Sequence, residues 1–104
     1  MAFIEQTSDD LRELLEVSPK TIVMFGRKGC GNCKLLKPYF KNISKNYTDV
    51  VFTYIDVDKL TESAHVAEYE HLPTFAAYEF TNWIGQDTGT NREIVDSLLD
   101  KLVN

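Results

Sequence analysis

Both cysteines of this chain stand in one short stretch, RKGCGNCKLLKP, at Cys30 and Cys33. Two intervening residues is the spacing of a thiol pair that can close and reopen a disulfide; it is also half of a zinc site. Cys30 follows a strand-like run and a glycine and precedes a helical run, so it is expected at a helix N-terminus. Unpaired N–H groups and the positive end of the helix dipole gather there and favour a thiolate. Arg27, Lys28 and Lys34 add positive potential, and each effect lowers a cysteine pKa from its free value of about 8.5. Cys33 lies one turn further on, on the same helix face, at a Cα separation of roughly 5 Å, within reach of a disulfide. Gly31 keeps the turn thin enough for a partner backbone to approach Cys30. The residues therefore predict thiol–disulfide exchange. Cys30 attacks a substrate disulfide, and Cys33 resolves the mixed disulfide.

A metal reading competes. The other strong ligands are His65 and His71, and a Cys2His2 site would need Cys33 and His65 to meet across the intervening chain. No metal is expected on this count. His65 reads as a solvated residue. His71 stands two residues before Pro73, where it is either a plain loop residue or a neighbour of the thiols that titrates near neutral pH.

The elements that must position the pair follow from periodicity. AFIEQ is a short edge-strand candidate. TSDDLRELLEV opens with Ser8 as a candidate N-cap and continues with Leu11, Leu14 and Leu15 at helical spacing. TIVMFG, residues 21–26, reads as a strand buried on both faces. Leu36, Phe40, Ile43 and Tyr47 mark one face of a long helix, with a kink expected at Pro38. VVFTYIDV is a second buried strand, and a short helix is expected around Glu62 to Tyr69. PTFAAYEF and WIGQDTG predict a hairpin turning near Thr81-Asn82, with Trp83 packing on it. Thr90 and Glu93 read as a capping box for a last helix. The order is β-α-β-α-β-α-β-β-α, which predicts an α/β fold with a central mixed sheet of about five strands flanked by about four helices.

Composition sets the limits. A chain of 104 residues, 43% apolar and 12% aromatic, suits one domain over 1–104 with a core of its own. The formal net charge is -5, and no apolar run is long enough to span a bilayer, so neither nucleic acid nor membrane is an expected partner. Charge is unevenly spread: residues 27–45 hold six Lys or Arg and no acid, and all sixteen acids lie elsewhere. This basic flank favours acidic partners. The N-terminus lacks a basic segment followed by a long apolar one, so a cytoplasmic location is expected, where a close CxxC pair is catalytic or metal-binding.

These features together resemble the thioredoxin family. The resemblance rests on the buried strand before CxxC, Pro38 five residues after the second cysteine, LPTF at Leu72 to Phe75, Asp58 and Gly89. It implies a monomeric thioredoxin fold acting as a disulfide reductase with no bound cofactor. Electrons would come from an NADPH-dependent thioredoxin reductase, or from glutathione if the chain is glutaredoxin-like. It also implies a cis bond before Pro73 and a substrate-contact surface of Gly31, Asn32, Leu72, Pro73 and Gly89. The chain departs from the family at three places. Gly29 replaces the usual Trp, Asn32 the usual Pro, and the family's buried Asp and its lysine partner fall at Met24 and Tyr54. A glutaredoxin would carry a Gly-Gly pair where WIGQDTG has only Gly85. A third possibility is a thioredoxin-fold binding or assembly module whose thiols are dispensable.

Overall fold

A computed structural model describes residues 3–104. Five strands form one sheet in the order β1-β3-β2-β4-β5, with β1 at Phe3–Glu5, β2 at Thr21–Gly26, β3 at Val51–Asp56, β4 at Thr74–Glu79 and β5 at Asn82–Thr88. Strands β1 and β2 run parallel to β3, and β4 runs antiparallel to both β2 and β5. Three α-helices, α1 (Leu11–Val17), α2 (Gly31–Ile43) and α3 (Arg92–Val103), pack on this sheet. The mixed sheet follows the expectation, with three α-helices rather than four. Ala2 of the first predicted strand lies outside the described residues.

The reading of β2 as a doubly buried strand holds, since all six of its residues are buried. Alternation sends Ile22 and Met24 to one face and Val23 and Phe25 to the other. The first face is closed by Leu36 and Phe40 of α2 and Val95, Leu98, Leu99 and Leu102 of α3. The second is closed by Leu11 and Leu15 of α1 with Leu60 and Ala67. Phe40 is the hub of the first face. Its ring centroid lies 5.0 Å from Phe52, 5.6 Å from Phe75 and 6.2 Å from Phe3. Burying one such ring contributes about 1.5–3 kcal/mol.

Five local expectations are corrected. The segment Glu62 to Tyr69 forms only a 3-10 turn at Ser63–His65. One turn does not repay the cost of helix nucleation, and the acids Glu68 and Glu70 sit at the wrong end of a helix dipole. The Tyr69 hydroxyl instead folds back to donate to the Ala64 carbonyl at 2.7 Å. At the first helix, Asp10 rather than Ser8 occupies the N-cap and makes no side-chain cap bond. Leu11 N–H donates to Ser63 Oγ at 3.1 Å, while the Asp9 carboxylate accepts from Glu62 N–H and Ser63 N–H. Two distant segments thus cap each other. At the last helix, Asn91 is the cap, accepting from Glu93 N–H at 2.9 Å, in place of Thr90. Finally, α2 runs through Pro38 but ends at Ile43, and a 3-10 turn at Ser44–Asn46 carries the chain to Tyr47. Trp83 is 57% exposed, so it is not the packing residue that the hairpin reading predicts.

Candidate active site

Strand β2 ends at Gly26, and a four-residue link delivers the chain to α2 at the C-terminal edge of the sheet. Cys30 is the N-cap of α2, with extended backbone at φ -87° and ψ 111°. Its sulfur accepts the Cys33 backbone N–H at 3.1 Å. The helix-terminus expectation is met by a specific donor as well as by the dipole. The two residues form a disulfide with a Cα separation of 5.2 Å. Their exposures differ: Cys30 is half-buried at the surface, and Cys33 is 2% exposed within the α2–α3 core.

Around Cys30 the chain folds into a shallow groove. Its sulfur lies 4.0 Å from the Leu72 carbonyl oxygen. The Leu72-Pro73 bond is cis, as the resemblance implies. Gly89, at φ 139°, donates its N–H to the Pro73 carbonyl at 3.1 Å, a conformation open to glycine. Leu72, Pro73 and Gly89 are therefore joined in space. Gly31 and Asn32 are exposed on the first turn of α2, and a Cβ at Gly31 would meet nothing within 4 Å. The groove wall includes Val57, Tyr69, Glu70 and His71, so His71 is a neighbour of Cys30 rather than a remote loop residue. His65 lines a different cavity, beside Asp9 and Arg12.

The basic residues divide. Arg27 reaches the groove, but its guanidinium is paired with Asp58 at 3.2 Å. Lys28 lines a separate cleft shared with Tyr54, and Lys34 is exposed on the first turn of α2. Further along, Lys37 pairs with Glu5 at 2.9 Å and sits 4.0 Å above the Tyr54 ring. Among the described residues, no group of three or more His, Cys, Asp or Glu side chains is arranged to hold a metal ion.

Beneath Cys33 lies a residue that the motif reading passed over. A Cβ at Gly26 would stand 2.9 Å from the Tyr54 hydroxyl and 3.1 Å from Cys33 Sγ. Gly26 is a spacing requirement of the site. The available signal was a glycine closing an otherwise bulky buried strand.

The thioredoxin family model matches residues 2–101. The chain belongs to the thioredoxin family. It is 30% identical over 99 residues to the thioredoxin of Callithrix jacchus, covering 93% of this chain and 94% of that one. Human thioredoxin is 33% identical over 82 residues, 79% of this chain and 78% of the relative. The fold of reduced Schistosoma mansoni thioredoxin pre-protein superposes with a TM-score of 0.90 at 34% identity, covering 99% of this chain and 100% of that chain. A thioredoxin of Plasmodium falciparum gives 0.85 at 27%, covering 97% and 98%. Family and cysteine pair together make the chain a dithiol–disulfide oxidoreductase of thioredoxin type. Such exchange runs through the cysteines and needs no bound cofactor. Its general partners are disulfide-bearing substrates and a reductase. The departures in the core stand in three dimensions. Met24 is fully buried, opposite Tyr54 in the β2–β3 register.

Proposed function

We propose that the chain is a single-domain, monomeric protein-disulfide reductase in which Cys30 is the nucleophile and Cys33 the resolving thiol. The observation that carries this assignment is the asymmetry of the pair. The Cys30 sulfur sits at the rim, on a helix N-terminus, and receives the Cys33 N–H. Cys33 is buried one turn behind it. In the reduced protein, the Cys30 thiolate attacks one sulfur of the substrate disulfide. An S–S bond forms to Cys30, and the first substrate sulfur leaves as a thiolate that takes a proton from water. Cys33 then loses its proton and attacks the Cys30 sulfur. The Cys30–substrate bond breaks, and the second substrate sulfur leaves. Two electrons have passed to the substrate, and the Cys30–Cys33 disulfide remains.

Leu72, Pro73, Gly89, Gly31 and Asn32 bound the approach to Cys30 and hold the substrate backbone. Lys28 and Lys34, which flank the site and make no ion pair among the described residues, favour acidic protein substrates. Arg27 contributes less because Asp58 neutralises it. The reopening electrons come from an NADPH-dependent thioredoxin reductase, and the reducing cytoplasm is the compartment this use requires. The test compares reduction of a disulfide-bonded protein under two supplies: NADPH with a thioredoxin reductase, and glutathione with its reductase. Turnover with the first is expected. Turnover with glutathione alone would transfer the chain to a glutathione-fed role. Turnover with neither, in folded protein, would overturn the reductase assignment. Survival of biological function in the Cys30→Ser/Cys33→Ser double variant would show a binding role.

A further inference from the structure

The resolving step asks Cys33 to ionise in an apolar place. Cys33 belongs to one buried cluster with Ile22, Met24, Leu36, Phe40 and Phe75, none of which stabilises a thiolate. An unpaired anion there is costly, and burial alone raises a thiol pKa. A polar group does reach this floor. The Tyr54 hydroxyl and Cys33 Sγ converge on the space that Gly26 leaves by lacking a side chain, at 2.9 and 3.1 Å from its ideal Cβ position. The hydroxyls of Tyr39 and Tyr69 donate to Asp96 and to the Ala64 carbonyl, whereas among the described residues that of Tyr54 has no protein acceptor.

We propose that Tyr54 is the proton-handling residue of the resolving step: its hydroxyl donates a hydrogen bond to the Cys33 thiolate, across the gap kept open by Gly26, as the Cys33 proton leaves to water in the adjoining cleft. This rests on the assignment of Cys33 as the resolving thiol. The cleft supplies the exit. Tyr54 forms part of its wall, and charged groups face it from every side: Glu5 from β1, Lys28 from the link before α2, Lys37 from α2, Asp56 from the end of β3, and Lys59 beyond it. Lys37, stacked on the ring and tied to Glu5, fixes the ring's orientation. Burial, with Asp56, Glu5 and Asp58 nearby, pushes the Tyr54 hydroxyl above its ordinary value of 10.0. The group therefore keeps its proton at neutral pH and serves as a donor, not as a base. Protons and electrons balance. Cys33 releases one proton to water, and its sulfur's electron pair forms the bond to Cys30. The leaving sulfur carries off the pair of the broken bond and is protonated from solvent.

The experiment uses the reduced full chain and an aryl disulfide reagent that releases a coloured thiolate at each step. Stopped flow then separates attack by Cys30 from resolution by Cys33. In Tyr54→Phe the first phase is expected to stay within about twofold, which also shows that the site is folded. The second phase is expected to slow about tenfold near neutral pH, with its pH profile displaced upward by about one unit, and to recover at high pH where Cys33 ionises unaided. A second phase with the wild-type rate and pH profile would overturn the proposal. An independent readout needs no change at Tyr54. In Cys30→Ser, NMR of carbon-13-labelled protein should show the Tyr54 ring carbon bearing oxygen responding at the pH where Cys33 titrates. A silent Tyr54 through that titration would overturn it equally.

Discussion

The rim around Cys30 and the floor beneath Cys33 are one helical turn apart and obey different physics. At the rim, backbone donors and solvent do the electrostatic work. Cys30 has the Cys33 N–H and a helix terminus, and the flanking cations are exposed or, like Arg27, already paired. Substituting one side chain there leaves water to compensate. On the floor there is little water and no slack. Met24 is fully buried, and Gly26 has no room for a methyl group. The lesson is that two thiols of one motif can be tuned independently, the first by backbone and the second by side chains of β2 and β3.

The contrast can be broken most sharply at the cysteines themselves. Cys30→Ser should abolish substrate reduction and form no adduct, whereas Cys33→Ser should accumulate a stable mixed disulfide visible by intact-mass spectrometry. Adduct formation through Cys33 in the first variant would reverse the assigned roles. Next in size is Gly26→Ala. The added methyl group must displace the Tyr54 ring edge or Cys33, and overpacking of this kind costs about 1–3 kcal/mol, measurable by denaturant unfolding. A neutral Gly26→Ala would mean that the floor yields as easily as the rim. Arg27→Ala should change stability by less than about 1 kcal/mol, because both partners of its ion pair are more than half exposed. A larger loss in the same unfolding assay would give the rim a structural weight it should not have.

The smallest effect is set by pH, away from both regions. Asp9 accepts hydrogen bonds from Ser63 and Glu62, which hold its carboxyl below the ordinary value of 3.8. A lowered folded-state pKa contributes stability above 3.8, and that contribution is lost as pH falls through the folded value. Asp9→Asn should therefore flatten the acid limb of a stability-against-pH curve and leave the site chemistry unchanged. An unaltered acid limb would show that this cap carries no weight.

Much of the rim was legible in the sequence, because its determinants are local. The strand–glycine–CxxC–helix order fixes the helix terminus, and Cys30 takes the N-cap that the order requires. The long-range partners of the rim needed the family pattern. Nothing in the spacing of Leu72, Pro73 and Gly89 brings them together, and the Gly89 N–H to Pro73 carbonyl bond is what does so. The floor was least legible. Met24 and Tyr54 could be singled out as departures from a pattern, but their relation to Cys33 depends on the β2–β3 register, which sets Met24 against Tyr54 and Gly26 against Asp56. Capping failed in the same way. Asp9 and Ser63 lie 54 residues apart and serve each other's helical turns, so a search for local caps could not find them.

One contact far from the sulfur atoms has a bearing on motion. The Tyr39 hydroxyl donates to Asp96 at 2.8 Å, and the Arg92 guanidinium lies 4.7 Å from the Tyr39 ring centroid. Together with the buried Phe40, these contacts rivet the second half of α2 to α3. The first turn is held by one buried side chain, Cys33, with Gly31, Asn32, Lys34 and Leu35 all exposed around it. The helix is thus clamped broadly at one end and pinned at one point at the other. Amides in its second half should exchange with solvent slowly and in concert with those of α3, while those of the first turn exchange sooner. The exposed side chains of the reactive end can then adjust to an incoming disulfide without loosening the helix behind them.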